Sequence, residues 1–289
     1  MHGRDLASLA ALSIIALTIG VGCPEEPKPQ PAPVKTTTTT AKPAPSAAPS
    51  ATPSAAAQQG PAGAMGTATV KGAVAFSGKA PEMKVPKKRK DVEVCKAKEV
   101  KYNAVIVNGG KLADTLVRLA NDSVKGEYKA PSKHAEINQV DCMYTPRIQG
   151  VVSGQEIDIK NSDDTLHNVH TFKGTETWFN QAQPKGSPPV SKQLEETKVT
   201  KFTCDVHPWM KGFVVVSSHP FFAVSGADGS FTIEKVPAGK YKVEAWHARY
   251  GLKEGTADVA DGKTVEVNFT YDGTEKEPDE NKDELKDLF

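Results

Sequence analysis

From Thr67 onward the chain alternates short apolar and polar runs, broken by Gly, Pro and Asp, and no helical period of any length interrupts them. Alternation of that kind predicts an all-β protein built as a sandwich or barrel. The expected strands are Thr69–Phe76, Asn103–Val107, Thr115–Leu119, Gln149–Val152, Glu156–Asn161, Asn168–Phe172, Thr197–Phe202 and Gly212–Ser217, with loops at Asp91–Lys98 and Pro184–Pro189. A second group follows at Phe221–Ser225, Ser230–Val236, Lys240–His247, Thr256–Val259 and Thr264–Tyr271. Its turns, Ala227-Asp228-Gly229, Pro237-Ala238-Gly239 and Asp261-Gly262, carry the Gly and Asp that positive φ angles in hairpins require.

Before Thr67 the pattern is different. Leu6 to Gly22 is an apolar and small-residue run preceded by Arg4, which reads as a targeting segment and is too short and too rich in Ala and Gly for a membrane span. Ten of the 21 prolines lie between Pro24 and Pro61, together with five consecutive threonines, so this stretch cannot bury a core. It reads as a tether of polyproline II and extended conformations, reaching on the order of 100 Å. Roughly 220 residues remain to fold, enough for one medium and one small domain. The expected division is a signal peptide at 1–22, a tether at 23–66, a first β-domain at 67–216, a second at 217–272 and an acidic tail at 273–289.

Lys plus Arg is 36 and Asp plus Glu is 35, which leaves a formal net charge of +1. Without a basic stripe, that balance offers no footprint for nucleic acid. The short basic run Lys84–Lys90 reads as a solvated loop or as an attractor of acidic partners or anionic headgroups. Nothing resembles a Ser-His-Asp arrangement or a phosphate-binding Gly-rich loop, so no enzyme and no small-molecule substrate is expected.

The candidate chemistry is concentrated in Phe202-Thr203-Cys204-Asp205-Val206-His207-Pro208-Trp209-Met210-Lys211-Gly212. A thiolate, an imidazole and a thioether at Cys-x2-His-x2-Met spacing, on a loop between two strands, favour copper, because Met adds little to zinc. A fourth ligand appears at His167, at the end of an expected strand. This chain resembles the cupredoxins, the blue-copper family that includes plastocyanin and amicyanin, in His167-Asn168-Val169 and in the short amicyanin-like ligand loop. The resemblance covers roughly Gly150 to Val216 and implies a Greek-key sandwich holding one mononuclear type 1 copper. It assigns His167 and His207 as imidazole ligands, Cys204 as the short thiolate ligand, Met210 as the long axial one, and Asn168 as the residue tying the His167 strand to the Cys204 loop.

Two further resemblances bear on organisation. Asp228-Gly229-Ser230-Phe231-Thr232-Ile233 and Val236-Pro237-Ala238-Gly239-Lys240-Tyr241-Lys242-Val243 are similar to the small transthyretin-like or carboxypeptidase-regulatory-like β-sandwich, which implies a structural or docking module. Thr18-Ile19-Gly20-Val21-Gly22-Cys23 resembles the bacterial lipobox, which implies a lipoprotein with Cys23 acylated, held in the cell envelope and facing the periplasm or exterior. An ordinary signal peptide or an uncleaved anchor is the other reading. With Cys23 acylated and Cys204 on metal, Cys95 and Cys142 remain; an envelope compartment permits them to pair, and two buried free thiols are the alternative. That disulfide would contribute about 4 kcal/mol on the chain-entropy model.

If Asn168–Phe172 is a strand, His167 and His170 face opposite ways and cannot share a metal; His170 then serves the surface, the structure or electron exit. His247, next to Trp246, reads as packing, or as lining the copper site or domain interface. Trp209 reads as a lid over the metal or as a partner contact, and His219, His134 and His2 carry no assignment. The expected function is single-electron transfer between redox protein partners in the envelope. The alternatives are copper storage, delivery or sensing, and an adhesion or scaffold module. An oxidase or nitrite reductase is disfavoured because Thr203 and Asp205, not His, flank Cys204.

Overall fold

The computed structural model describes residues 63–86, 93–96, 100, 104–173, 175–196 and 198–278. The expected signal peptide with His2, the lipidation candidate Cys23, the tether up to residue 62, the Lys87–Lys90 part of the basic run and the tail from residue 279 lie outside the described residues.

The N-terminal stretch forms β1 (Ala68–Phe76), one helical turn at Glu93–Lys96, β2 (Val107–Asn108), β3 (Lys111–Leu112) and β4 (Thr115–Leu119). The middle stretch forms β5 (Ala135–Val140), β6 (Met143–Thr145), β7 (Ile148–Val152), β8 (Gln155–Asn161), β9 (His167–Lys173), β10 (Glu176–Gln183), β11 (Val190–Leu194), β12 (Val199–Thr203) and β13 (Lys211–Ser217). The C-terminal stretch forms β14 (Phe222–Val224), β15 (Ser230–Val236), β16 (Gly239–His247), β17 (Gly251–Val259), β18 (Thr264–Glu266) and β19 (Phe269–Tyr271). The fold is all-β, as the alternation predicts. Strands β3, β5, β6, β10 and β11 are additional to those expected, and β3 and β6 are only two and three residues long. β10 and β11 lie at sheet edges with a single buried side chain each, and β5 turns the polar Gln139 inward, so none of these three shows an apolar period.

The middle stretch by itself supplies two sheets, ordered β10-β9-β12-β13-β7 and β11-β8-β5-β6. Between them lie Ile137, Tyr144, Ile157, Val169, Phe202 and Val214. β1 to β4 do not join this middle sandwich. β1 pairs antiparallel with β15 and parallel with β18 and β19, while β4 sits between β14 and β16 in the sheet β14-β4-β16-β17. The second sandwich is therefore closed by strands from both ends of the folded region, and the middle one is inserted between them. This corrects the expected division at residue 216: alternation records which side chains face inward, but not which distant strand a given strand will pair with.

β13 joins the two. Gly212 to Ser217 are all buried, as in a strand covered on both faces. Val214 and Val216 point into the middle core, whereas Phe213 and Val215 pack with Leu116 and Trp246 between the sandwiches, the Phe213 and Trp246 ring centroids 5.6 Å apart. Each such side chain contributes roughly 1.5–3 kcal/mol by leaving water, so Phe213→Ala would loosen the junction first. In the flanking sandwich the Asp228-Gly229 turn needs its glycine. Gly229 has φ +73°, and a Cβ there would lie 2.5 Å from the Val74 carbonyl oxygen.

Candidate metal centre

Three of the four predicted ligands, His167, Cys204 and His207, meet at one end of the middle sandwich, and Met210 lies on the same loop. His167 opens β9, and Cys204, His207 and Met210 lie on the loop between β12 and β13. None is more than 2% exposed. His167 Nδ1 and His207 Nδ1 are 2.8 Å apart, and Cys204 Sγ lies 4.0 Å from the first and 3.7 Å from the second. Two nitrogens and a sulfur thus converge within a span that a single ion can bridge. Met210 is buried in the same core cluster, and its N–H donates to the His207 carbonyl at 2.9 Å, closing a tight turn in the loop.

The loop is held from β9 and β6. Asn168 Oδ1 accepts the backbone N–H groups of Asp205 (2.7 Å) and Val206 (3.4 Å) and the Cys204 thiol (3.4 Å), while the Asn168 N–H donates to Cys204 Sγ at 3.5 Å. Tyr144 OH lies 2.8 Å from the Thr203 carbonyl and 3.1 Å from that of Asn168, which pins the end of β12, where the loop departs, to the strand that carries His167. The carboxylate of Asp205 accepts from Asn168 Nδ2 and Asn180 Nδ2, both at 2.9 Å.

The sequence reading missed Asp163. Its Oδ2 accepts His167 Nε2–H at 2.9 Å and the Cys142 N–H at 2.8 Å, and its Oδ1 accepts the Asp141 N–H at 2.8 Å. Asp141 and Cys142 both have positive φ, 55° and 58°, so the carboxylate also holds a strained β5–β6 turn. With Nε2 committed to Asp163, His167 presents Nδ1 to the sulfur. The one sequence cue was its place in the polar run four residues before His167. Its two backbone partners, however, lie more than twenty residues away.

Electrostatics favour ionised donors. Burial pushes the Cys204 thiol up, but hydrogen bonds from His167, His207 and the Asn168 N–H outweigh it and bring the group down to about 6. Burial opposes a charged His167, yet Asp163 and Cys204 leave it above the usual histidine range. Asp163 is likewise buried, and its three hydrogen bonds hold it below the usual carboxylate range. A thiolate, two imidazoles and a thioether in a site closed to water are donors that fit copper, since they combine soft sulfur with nitrogen in a fixed frame.

The other candidates separate from this cluster. His170 projects from the opposite face of β9: its Nδ1 is 2.9 Å from Asp205 Oδ1, its Nε2 is 2.8 Å from Thr177 Oγ1, and its ring stacks on Phe172. His219 and His247 are buried in the flanking sandwich, and His134 lies at the surface between Glu156 and Asp158. Trp209 is 3% exposed, donates from Nε1 to the Cys142 carbonyl at 2.9 Å and packs 5.0 Å from the His207 ring, so it covers the centre from within. Cys95 and Cys142 form a disulfide.

No family model matches the sequence, and no curated protein does. Among solved structures, a purple cupredoxin from Nitrosopumilus maritimus is 25% identical, covering 29% of this chain and 99% of its own, with a TM-score of 0.26. Amicyanin from Paracoccus versutus is 17% identical, covering 35% and 97%, with a TM-score of 0.28. A copper-containing nitrite reductase from Thermus scotoductus is 16% identical, covering 32% and 24%, with a TM-score of 0.27. Each likeness covers only part of this chain, and the reading of the centre rests on its own geometry.

Proposed function

We propose that the chain is a mononuclear copper protein that carries single electrons, with His167, Cys204 and His207 as strong ligands and Met210 as a weak axial one. The observation that carries this reading is the convergence of two imidazole Nδ1 atoms on a sulfur held near its thiolate form, all buried. Bound copper would supply reversible one-electron chemistry. The protein's part is to hold the donors still: Asn168 and Tyr144 fix the loop, Asp163 fixes His167, and the all-buried donor set excludes water and small substrates. An electron can cross a thin protein wall, whereas a substrate that must touch the metal cannot. This burial favours a carrier over an enzyme. The same burial weighs against delivery, which requires the metal to leave readily.

The anchoring reading belongs with this proposal. A lipid on Cys23 followed by the Pro-rich tether would let the copper domain reach redox protein partners in the cell envelope, and the Cys95–Cys142 disulfide fits an oxidising compartment. Fractionation of the full chain against Cys23→Ser tests it; equal release of both into the soluble fraction would refute the anchor.

The copper reading is tested by metal analysis and an optical spectrum of the purified protein. One copper per chain and an intense visible sulfur-to-copper band are expected, abolished by Cys204→Ser, with Met210→Leu retaining copper at a higher potential. A colourless Cu(II) protein, or rapid loss of copper to a weak chelator, would overturn it.

A further inference from the structure

His167 has Asp163 behind its outer nitrogen. What stands behind His207 is the disulfide. Cys95 Sγ lies 3.6 Å from His207 Nε2, with both residues wholly buried. A disulfide sulfur has no proton to give, so at that distance it can act only as a weak acceptor of the imidazole N–H. That commits Nε2 as the protonated nitrogen and leaves Nδ1 to face Cys204, the same division of roles that Asp163 imposes on His167. The two arrangements meet at Cys142. Its N–H donates to Asp163, its carbonyl accepts from Trp209, whose ring packs on His207, and its sulfur is bonded to Cys95. Cys142 is therefore tied to both imidazoles, to His167 through Asp163, 21 residues away, and to His207 through Trp209, 67 residues away, and through its disulfide partner Cys95.

We propose that the Cys95–Cys142 disulfide is a positioning group of the metal centre: it accepts the His207 Nε2–H and closes that edge of the imidazole to water, in addition to cross-linking the chain. The proposal rests on the copper reading of the site. Removing the disulfide would leave His207 Nε2–H to water, admit small anions to the metal and free the ring to turn.

The test uses the full-length chain loaded with copper, its stoichiometry measured first, beside the Cys95→Ala/Cys142→Ala double variant. In the Cu(I) form, prepared with ascorbate so that the disulfide stays intact, the His207 Nε2–H resonance is expected to be observable and slow to exchange with solvent. In the double variant the exchange should be at least tenfold faster. Azide added to the Cu(II) form should perturb the visible spectrum of the variant at concentrations at least tenfold lower than for the unmodified protein. Loss of thermal stability alone would not distinguish a positioning group from a mere cross-link, so these two readouts decide. Equal exchange and equal azide response in a folded, copper-loaded variant would overturn the proposal. If the variant does not fold, the unmodified protein decides: slow exchange supports the role and fast exchange refutes it. A chain that takes up no copper refutes the copper reading, and the disulfide's role falls with it, whereas copper uptake with a rapidly exchanging His207 proton refutes the disulfide's role alone.

Discussion

In the middle sandwich His167 is buried against an anion, while in the flanking sandwich His219 and His247 are buried against cations. Burial alone disfavours the charged form in all three. Beside His167, Asp163 and Cys204 reverse that preference. His219 is pushed down to about 4 by burial and the Arg118 charge, and His247 down to about 3 by burial and the charges of Arg147 and Arg249. Both flanking histidines behave as packing: His219 stacks on Phe221 and His247 on Tyr250. The lesson is that a buried imidazole becomes a candidate ligand when its neighbours fix the outer nitrogen and offer a soft anion to the inner one. The flanking sandwich satisfies its buried charge internally, through Arg118 Nε to Glu244 Oε2 at 2.8 Å.

That contrast can be broken most severely at the ion pair. Glu244→Gln leaves the Arg118 guanidinium buried without its carboxylate and is expected to cost about 3–5 kcal/mol in urea unfolding. The visible copper spectrum of the folded fraction should stay unchanged. A spectral change would mean that the flanking sandwich shapes the metal site.

Acid separates the two sandwiches next. As pH falls below about 6.5 the unfolded chain protonates His219, while the folded chain leaves it neutral until about 4. Stability therefore falls with pH across that window, by about 3 kcal/mol for this one group. His167 has the opposite sign in the metal-free protein: its stabilising charge is present below its unfolded value and lost as pH rises through its elevated folded one. Urea midpoints at pH 7 and pH 4.5 check this, and His219→Gln should flatten the acid slope. An unchanged slope in that variant would place the titration elsewhere.

Asp163→Asn is a milder break within the middle sandwich. One amide oxygen cannot accept the three donors that the carboxylate accepts, so either His167 or the Asp141–Cys142 turn is left short. Copper affinity, measured by chelator competition, should drop about 10–100-fold, or about 1.4–2.7 kcal/mol. The smallest effect is expected for His170→Ala, which removes a contact to Asp205 on the far face of β9. Copper stoichiometry and band position should be retained; loss of copper there but not in His167→Ala would show that the ligand set is misassigned.

The ligand loop was legible because its chemistry is local. Cys204, His207 and Met210 lie within seven consecutive residues, and a strand-loop-strand pattern was enough to bring them to one place. His167 and Asn168 could be placed at a strand end, and the opposed faces of His167 and His170 followed from the two-residue period of a strand. Asp163 was passed over because its partners are backbone groups of a turn that has no apolar signature. The strands β5, β10 and β11 were missed for a related reason, since edge exposure and an inward glutamine erase the alternation that marks a half-buried strand.

By itself, then, the sequence determined the all-β class, most strands of both sandwiches and the three candidate donors that converge, His167, Cys204 and His207, because period, turn chemistry and residue spacing act over a few residues. Only the tertiary structure decided that β1 and β4 close the flanking sandwich around an inserted middle one. It alone set Asp163 behind His167 and Cys95 behind His207. Those outcomes depend on pairing between strands and turns far apart in the chain, where backbone hydrogen bonds and burial select partners by geometry, and a one-dimensional pattern of polar and apolar residues carries no record of that selection.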